Sequence, residues 1–518
     1  MTAGEHKTEQ GVAVEVRSGR RLVRGRRQGG VDAYRGIPYA APPVGSRRFA
    51  PAAPIPDDHD DVDRTVDATM ASPSFPQPPS RVERLMGRPS GTYDEARSLT
   101  LNIWTPTGAT NRPVLFWLHG GASVSGSASW DWYDGARLAA TGDIVVVTAN
   151  YRLGALGYLD LRDLESGSES CANAGLSDQM TALEWVAANI ASFGGDPSAI
   201  TVGGQSAGAE SAVLLAGSSR TGRLVRRLFL QSGGSHGWVQ PPQQSESLAA
   251  EYLAVLGESV DHPVRLDSLR SLPVDALLDA QVEFLRRRAL AGDVNPPFGV
   301  AGAVDVPTGG TKAFLRARPE LDVLAGWTRD ELQGFARLNP AGGSISDTEV
   351  ISALAPRFGD GARTLLEHYR SSRPDARPAD LLSAINGDAV MMAPLLDLAA
   401  ERTSADASTF LYRFDWSGSE FGACHCVDLP FLFGTFDRWM PGAAMLGHAT
   451  PDDLGSVAQQ FMEVVGSFVR SGVPRLPGLE WSCWAKDAGV ARIGGQATTV
   501  ERGLGLRERD LLASSARP

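Results

Sequence analysis

Short apolar runs alternate with helical spacing along the middle of the chain. From about residue 112 four such runs follow one another, at 114–118, 144–147, 200–202 and 228–230. Strands that are apolar throughout are typical of a sheet covered on both faces, and helical segments between them indicate parallel connections. The pattern therefore predicts an α/β fold with a mostly parallel central sheet and helices on both faces.

One of the connecting segments carries a clear helical stripe. Leu176, Met180, Leu183, Val186 and Ile190 recur at steps of three and four residues. This spacing places all five side chains on one face of a helix. We predict that this face packs on the sheet as part of the core.

The chain before the first buried strand has a different pattern. Val12, Val14 and Val16 alternate with polar or small residues, and such alternation predicts a β-rich edge over about residues 15–50. Residues 70–95 contain the stretch SPSFPQPPS and little apolar periodicity. We predict that they form a long surface loop, a kind of segment that often serves as a lid.

Helical spacing dominates the region between about 240 and 405, interrupted by the strand-like residues 323–325. We interpret this region as a helical cap inserted into the sheet domain. The two ends of the chain, residues 1–11 and 503–518, are polar. A flexible N-terminus and a frayed C-terminal tail are therefore expected around a single domain over residues 12–502.

The amino-acid composition excludes several classes of protein. The chain has 518 residues, 42% of them hydrophobic, and a formal net charge of −11. The apolar share argues against wholesale disorder, collagen and coiled coil, and the acidic balance argues against a nucleic-acid partner. The polar start of the chain lacks the apolar core of a secretory signal, and no apolar run approaches about eighteen residues. We therefore expect a soluble, cytoplasmic protein with no membrane partner.

The cysteines point to neither disulfides nor a metal. Cys171, Cys424, Cys426 and Cys483 are too few and too scattered for a disulfide framework. Only one residue separates Cys424 from Cys426, which is closer than the usual spacing of zinc ligands. Because no second Cys or His pair completes a tetrahedral set, no metal site is predicted.

A pattern typical of serine hydrolases, G-x-S-x-G, occurs at 204–208 and again at 233–237. A nucleophile elbow needs a strand, a strained turn and then a helix. Ser206 has a buried run before it and helix-forming residues after it, whereas two prolines soon follow Ser235 and disfavour a helix there. Ser206 is therefore the predicted nucleophile, and Ser235 is interpreted as a loop serine.

A serine nucleophile needs a histidine base, and in this kind of fold the acid and the histidine follow the serine along the chain. The histidines after Ser206 are His236, His262, His368, His425 and His448. His425 follows the strand-like residues 410–414, which would carry it to the carboxyl edge of the sheet. His425 is therefore the predicted base.

The acid and the oxyanion hole are expected at other strand ends. Residues 323–332 run from a strand into a polar turn that holds Asp330 and Glu331, and the residue pattern leaves both acids open. An oxyanion hole needs backbone N–H groups on small residues directly after a strand. Residues 119–122 follow the first buried run in that way, and we predict that they lie opposite the N–H of Ala207.

Seven blocks of sequence resemble one family. They are YRGIPYAAPPVG, LTLNIWTP, LHGGASVSGS, NYRLGALGYL, GLSDQMTALEWVAANIASFGGDPSAITVGGQSAG, AGWTRDE and GACHCVDLPFLFG. Over about residues 12–500 the sequences and the order of these blocks resemble the type-B carboxylesterase, or para-nitrobenzyl esterase, family of α/β-hydrolases. Several blocks are especially similar to those of cytoplasmic actinobacterial members. The resemblance implies an α/β-hydrolase fold and a serine esterase that needs no cofactor.

The resemblance also implies a role for particular residues. It makes Ser206 the nucleophile, His425 the base and Glu331, not Asp330, the acid. It assigns the oxyanion N–H groups to Gly121, Ala122 and Ala207. The implied reaction is hydrolysis of small to medium uncharged carboxylic esters, with hydrolysis of carbamates or amides by the same residues as the alternative. A third hypothesis, a non-catalytic adhesion or scaffold protein, is disfavoured because all three reactive side chains are present.

Two departures from the family pattern fall within the site. The family commonly has a third glycine where this chain has Ala122, and a residue with a Cβ is harmless there only if its φ is negative. The family often has glutamate directly before the nucleophile, whereas this chain has Gln205. Its neutral amide leaves less negative charge beside the base, so cationic substrates are expected to be less favoured.

Two further departures lie outside the site. Cysteines that form a disulfide in secreted members of the family align with Ser72 and Ser98, which agrees with a reducing compartment. An acidic residue of the family aligns with Arg97, so the ion pair that it makes near Arg35 is not expected here.

The substrate pocket is the least specific expectation. We predict that Ser123, Gln205, Trp130 and Trp132 line it together with the loop 70–95. For each tryptophan, core packing is an equally good interpretation of the sequence.

Overall fold

The structure is a computed structural model. It describes residues 11–55, 65–80, 82–89, 91–164, 172–234, 239–260, 264–290, 298–302, 306, 314–315, 318–338, 345–403, 407–440 and 442–516. The expected flexible N-terminus, Ser235, His236, His262 and Cys171 lie outside these residues, apart from Gly11.

Fifteen strands occur in the described part of the chain. In chain order they are β1 (Val12–Ser18), β2 (Arg21–Gln28), β3 (Val31–Pro38), β4 (Thr65–Asp67), β5 (Thr100–Pro106), β6 (Arg112–Leu118), β7 (Val145–Ala149), β8 (Gly195–Gln205), β9 (Arg227–Gln231), β10 (Val239–Gln240), β11 (Val300–Ala301), β12 (Asp322–Thr328), β13 (Thr409–Phe414), β14 (Gly489–Ile493) and β15 (Thr499–Arg502).

The α-helices of the described residues connect and cover these strands. They are α1 (Glu83–Met86), α2 (Ala136–Gly142), α3 (Gly154–Tyr158), α4 (Ala174–Asn189), α5 (Ala207–Gly217), α6 (Pro242–Gly257), α7 (Leu266–Ser271), α8 (Val274–Leu290), α9 (Gln333–Leu338), α10 (Asp347–Phe358), α11 (Gly361–Ser372), α12 (Pro378–Gly387), α13 (Ala393–Glu401), α14 (Leu429–Phe433), α15 (Phe436–Trp439), α16 (Pro451–Ser471), α17 (Trp484–Asp487) and α18 (Leu506–Ser515).

A 13-stranded sheet organises the molecule. Its order is β1-β2-β3-β5-β7-β6-β8-β9-β12-β13-β14-β15, with β4 paired to β2. The seven strands from β7 to β14 pair in parallel. The strands at both ends pair antiparallel, apart from the parallel pair of β2 and β4. The four apolar runs of the sequence lie in or overlap β6, β7, β8 and β9, which confirms the predicted mostly parallel sheet.

The core lies on both faces of this sheet. Along β6, Val114, Phe116 and Leu118 belong to one apolar cluster, and Leu115 and Trp117 belong to another. Because successive side chains of a strand point to opposite faces, these clusters cover opposite faces. Helices α4 and α5 contribute to the first cluster and α2 and α16 to the second. The predicted stripe that begins at Leu176 is buried in α4, as expected.

The strand-like residues that interrupt the expected helical cap belong to the central sheet. Strand β12 lies inside the central sheet, between β9 and β13. Along the chain, β12 therefore separates helices α6–α8 from helices α9–α13. The region 240–405 contains two groups of helices, one before this strand and one after it. The sequence pattern indicated the strand at 323–325 but not its place between β9 and β13, because strand pairing depends on residues far apart in the chain.

The C-terminal tail also differs from the expectation of a frayed end. Residues Leu506–Ser515 form α18, which packs Leu512 into the helical cluster of α10–α13. Glu508 Oε1 lies 3.2 Å from His368 Nε2. Polar composition concealed this helix because Leu512 is its one buried residue. Its other contacts include partly buried leucines and ion pairs at Glu508 and Arg509.

The loop 70–95 is less exposed than predicted. Phe75, Leu85 and Met86 are buried in the apolar clusters. The side chain of Gln77 bonds Gly126 twice, accepting from its N–H at 2.7 Å and donating to its carbonyl at 2.9 Å. The loop is therefore fastened to the glycine-rich segment that follows β6.

By length and composition alone, the helical stretch Pro378–Glu401 could cross a membrane. Of its most apolar window, 67% is buried inside the fold. Core helices of globular proteins pass the same test, so this stretch is weak evidence for a membrane span.

A buried ion pair ties the segment after β7 to α4. Arg152 Nε and Nη2 donate to the carboxylate of Asp178 at 2.8 and 2.7 Å, and the backbone N–H of Arg152 donates to it at 2.9 Å. Both side chains are almost completely buried. Removing one partner of such a pair leaves an uncompensated charge in the interior.

We expect Asp178→Asn to lower the free energy of unfolding by about 3–5 kcal/mol, because the Arg152 guanidinium loses its counter-charge. Urea and thermal unfolding followed by circular dichroism measure the change. Glu258→Gln removes an exposed partner of Arg287 and serves as the control, with little expected effect. Equal stability of the two variants would contradict the prediction.

Candidate active site

The candidate nucleophile lies on a strained turn between β8 and α5. Ser206 has φ 56° and ψ −125°, a conformation that costs a residue with a side chain about 1–3 kcal/mol. Its N–H donates to the carbonyl of Gln231 at 2.8 Å, and its side chain is mostly buried. The turn therefore presents Ser206 at the carboxyl end of a central parallel strand.

The glycines of the G-x-S-x-G pattern allow the turn to pack. A Cβ on Gly204 would overlap the backbone of Gly208, and a Cβ on Gly208 would overlap the carbonyl of Leu118 at the end of β6. Both positions require close backbone approach, which only glycine permits. This requirement brings the Ser206 turn against the segment that follows β6.

That segment contains the candidate oxyanion hole. A Cβ on Gly120 would lie 2.6 Å from Gln205 Oε1 and 3.1 Å from Ser206 Cβ, so this glycine too is required by close approach. Within the described residues the N–H groups of Gly121 and Ala122 have no acceptor. Ala207 begins α5, and the first N–H groups of a helix lack an intrahelical acceptor. Unpaired N–H groups are thus available on both sides of Ser206.

Ala122 does not have the negative φ that would make its Cβ harmless. Its φ is +53°, and that of the following Ser123 is +60°. A negative φ would have made the Cβ harmless, whereas the left-handed region costs about 1–2 kcal/mol for a residue with a side chain. The substitution of the third glycine therefore introduces backbone strain directly in the segment of free N–H groups.

The candidate base and acid lie on the loops after β13 and β12. His425 Nδ1 is 2.6 Å from Glu331 Oε2, and both side chains are buried. The other oxygen of Glu331 accepts the N–H of Thr328 at 2.9 Å. A backbone hydrogen bond of 3.1 Å from the His425 N–H to the Glu331 carbonyl joins the two loops.

Asp330, the acid that the residue pattern left open, is engaged elsewhere. Its carboxylate accepts from Arg329 at 2.8 and 3.0 Å and from the N–H of Ala423 at 2.9 Å. No contact between Asp330 and the imidazole of His425 occurs in the described residues. Of the two neighbouring acids, the structure brings only Glu331 to the histidine.

The surroundings of His425 change its affinity for protons. Burial lowers its pKa, because the charged imidazolium is poorly solvated in the interior. Cys426 and the Glu331 carboxylate act in the opposite direction and prevail, so the pKa of His425 is raised above its usual range. Nδ1 faces a carboxylate and therefore carries the proton of the neutral ring, which leaves Nε2 as an acceptor.

Gln205 is the neighbour of that acceptor. Gln205 Nε2 lies 3.0 Å from His425 Nε2, and the glutamine side chain is buried. In the described residues Ser206 Oγ makes no hydrogen bond. The sequence analysis expected the neutral amide of Gln205 beside the candidate base, and the structure adds that it lies at hydrogen-bond distance from His425 Nε2.

The sequence matches one protein family over nearly its whole length. The family model described as "Carboxylesterase family" matches residues 10–510. The chain belongs to the carboxylesterase family. It is a serine carboxylesterase, a carboxylic ester hydrolase, as the sequence analysis expected.

Three curated relatives match most of this carboxylesterase. A probable N-octanoylanthranilate hydrolase of Rhodococcus erythropolis is 34% identical and covers 87% of this chain and 91% of its own length. Phenmedipham hydrolase of Pseudarthrobacter oxydans is 32% identical, with 92% and 94% covered. Para-nitrobenzyl esterase of Bacillus subtilis is 31% identical, with the same coverages.

Solved structures agree with the fold of this carboxylesterase. A carboxylesterase of Geobacillus stearothermophilus superposes with a TM-score of 0.83 at 31% identity, covering 96% of this chain and 99% of that one. A thermophilic para-nitrobenzyl esterase gives a TM-score of 0.80 at 29% identity, with the same coverages. The α/β-hydrolase fold predicted from the sequence is confirmed.

The predicted pocket residues of the carboxylesterase lie in different surroundings. Trp130 packs edge-on against Trp132 with ring centroids 5.0 Å apart, and Trp132 stacks on Trp439 at 4.3 Å. Both tryptophans belong to the apolar cluster on the α2 side of the sheet. The carbonyl of Ser123 accepts the N–H of Gly154 at 2.6 Å. Their predicted role in binding substrate stays a prediction.

One buried acid near the site was missed. Asp428 accepts a bond of 2.6 Å from Gln231 Nε2, and burial raises its pKa to about 7, with the Glu331 carboxylate adding to the rise. The signal in the sequence was an aspartate within the otherwise apolar stretch that follows His425. An acid among apolar residues is costly to bury unless it has a specific partner.

The substituted positions outside the site have new contacts. Ser72 Oγ is 2.5 Å from Thr100 Oγ1, and Ser98 Oγ donates to the Glu95 carbonyl. Arg97 pairs with Asp94 at 2.7 Å. Arg35 and Arg97 line the same cavity, of about 690 Å³, with Arg26 and Arg438.

The described cysteines Cys424, Cys426 and Cys483 are free thiols. Within the described residues no group of three or more His, Cys, Asp or Glu side chains is arranged to hold a metal ion.

The strain at Ala122 gives a matched pair of variants. We expect Ala122→Gly to keep ester hydrolysis within about threefold of wild type, because glycine adopts φ +53° without a Cβ penalty. Ala122→Val should lower kcat by at least about tenfold, since a β-branched residue is a clear outlier at positive φ and displaces the free N–H groups. Steady-state kinetics on p-nitrophenyl butyrate measure both effects. Equal kcat values for the two variants would show that backbone geometry at this position does not matter.

Proposed function

We propose that this carboxylesterase hydrolyses small to medium uncharged carboxylic esters through an acyl-enzyme on Ser206. The observation that carries the proposal is the buried pair of His425 and Glu331, 2.6 Å apart, beside a serine on a strained strand-to-helix turn. A serine hydroxyl is a poor nucleophile unless a base removes its proton, and the base works best when a carboxylate orients it.

The proposed reaction has two halves. In the first, Ser206 Oγ attacks the ester carbonyl while His425 Nε2 takes its proton, and the resulting imidazolium returns that proton to the leaving alcohol. In the second, His425 takes a proton from water, the hydroxide attacks the acyl-enzyme, and the proton goes back to Ser206. Glu331 holds Nδ1–H throughout and stabilises the imidazolium by its charge.

The oxyanion that forms in each half needs hydrogen-bond donors. We assign this role to the N–H groups of Gly121, Ala122 and Ala207, and their lack of acceptors in the described residues supports the assignment. Such preorganised donors stabilise the transition state more than the ground state.

The substrate class follows from the groups beside the base. Gln205 places a neutral amide next to His425, where a glutamate would add negative charge and attract cations. The relatives named for N-octanoylanthranilate and phenmedipham favour a second candidate, hydrolysis of amides or carbamates by the same residues. The expected partner in either case is a small molecule, with no nucleic acid and no membrane involved.

We also propose that the enzyme works in the cytoplasm. Three free thiols and serines at positions 72 and 98 are compatible with a reducing compartment. Thiol titration of the protein in freshly lysed cells should find these cysteines reduced.

Hydrolysis of p-nitrophenyl esters from acetate to decanoate tests the function. We expect wild-type activity to peak at a short or medium acyl chain and Ser206→Ala to lose at least about 10³-fold of it. A fluorinated phosphonate should label wild type and leave the variant unlabelled. Activity that survives in Ser206→Ala would identify a different nucleophile, and a matched carbamate or anilide hydrolysed faster than the esters would favour the second candidate.

The two neighbouring acids provide an internal control for the acid. Glu331→Gln keeps the shape of the side chain but removes the charge that orients and stabilises His425, so we expect kcat/KM to fall about 10⁴-fold. Asp330→Asn should keep kcat/KM within about tenfold of wild type, because its carboxylate bonds to Arg329 and Ala423. The assignment fails if Asp330→Asn causes the larger loss in a folded protein.

A further inference from the structure

Gln205 lies at the atom of His425 to which Ser206 must bond in the proposed reaction. The proton acceptor of the base is His425 Nε2, and the atom at hydrogen-bond distance from it is Gln205 Nε2, at 3.0 Å. In the described residues Ser206 Oγ has no hydrogen-bond partner. The resting arrangement therefore pairs the base with the residue before the nucleophile.

The chemistry of the two groups fixes the direction of this bond. Because His425 Nδ1 faces the Glu331 carboxylate at 2.6 Å, the ring proton of neutral histidine is on Nδ1 and Nε2 offers a lone pair. An amide nitrogen can only donate. Gln205 therefore donates to Nε2 of the uncharged ring. Because Cys426 and Glu331 raise the pKa of His425, this bond forms only when the pH is above that raised pKa.

The surroundings confine the side chain of Gln205. Its side chain is 1% exposed, and its Oε1 lies against Gly120, where an added Cβ would be only 2.6 Å away. Gly120 belongs to the same segment as the free N–H groups of Gly121 and Ala122. The glutamine is thus confined between the candidate oxyanion hole and the base.

We infer that, whenever His425 is uncharged, Gln205 is a positioning residue that occupies its Nε2 in the resting enzyme and must exchange for Ser206 before the serine attacks. The inference rests on the proposed function of His425 as the base. It makes Gln205 a competitor of the nucleophile for the same nitrogen atom.

Three other ionisable groups act on His425. Glu331 approaches from the loop after β12, and Cys426 and Asp428 lie on the same loop as the histidine. Gln205, which approaches from β8, is neutral. A change at Gln205 therefore alters the protonation of His425 through one bond and leaves these three side chains in place.

Substitution at Gln205 has a distinct effect on pH dependence. A bond to the neutral ring opposes protonation, so Gln205→Met, which keeps the length but cannot donate, should raise the pKa of the acid limb of kcat/KM by about half to one unit. Gln205→Glu loses the donor and adds a negative charge, which should raise it by about one to three units. The pKa of the acid limb of kcat/KM is therefore expected to be lowest in wild type, higher in Gln205→Met and highest in Gln205→Glu.

Gln179→Met is the matched control. Gln179 is also buried, and its amide faces Tyr158 Oη at 3.4 Å rather than His425. We expect this variant to leave the acid limb within about 0.2 units of wild type. A merely structural effect of removing a buried amide would shift the control and the test variant alike and would overturn the inference.

A direct titration separates Gln205 from Ser206 as the resting partner. With histidines labelled at ¹³Cε1, NMR follows the protonation of His425 in the intact protein without any substrate. We expect Ser206→Ala to leave the pKa of His425 unchanged and Gln205→Met to raise it. The opposite result, a shift in Ser206→Ala and none in Gln205→Met, would make Ser206 the resting partner and overturn the inference.

The two experiments also distinguish the inference from the proposed function. A wild-type protein that hydrolyses none of the esters, carbamates or anilides would end the proposed function, while the NMR titration would still report the partner of His425. An active enzyme whose acid limb is the same in wild type and Gln205→Met would overturn the inference alone.

Discussion

The whole site depends on the close approach of two backbone turns at the carboxyl edge of the sheet. Gly208 lies against the carbonyl of Leu118, and Gly120 lies against Gln205 and Ser206. Because β6 and β8 are parallel neighbours, their carboxyl ends meet at one edge, and a Cβ at either glycine would push them apart. This contact puts the strained serine and the free N–H groups of the next segment within one small volume.

The second half of the site is assembled by different means. The loops after β12 and β13 carry Glu331 and His425, and backbone hydrogen bonds fasten them to each other. Those strands are again parallel neighbours. Burial then raises the strength of the contact between imidazole and carboxylate, because few waters compete with it.

The departures from the family pattern fall where these two halves meet. Ala122 carries a left-handed φ in the segment of free N–H groups. Gln205, where the family resemblance implies a glutamate, lies at hydrogen-bond distance from His425 Nε2. Both change the immediate surroundings of the reacting atoms and leave the sheet unaltered. At these two positions this enzyme differs chemically from a relative that has glycine in place of Ala122 and glutamate in place of Gln205.

The sequence by itself determined the parallel sheet, the serine and histidine candidates and the segment of small residues after β6, because each depends on short-range pattern and chain order. Residue pattern alone left Asp330 and Glu331 open, and family resemblance favoured Glu331. Only the tertiary structure revealed that β12 lies inside the central sheet, that Leu512 anchors the C-terminal helix and that Gln205 lies at hydrogen-bond distance from His425 Nε2. These features arise from contacts between residues far apart in the chain, and local patterns of polarity carry no information about which distant side chains will meet.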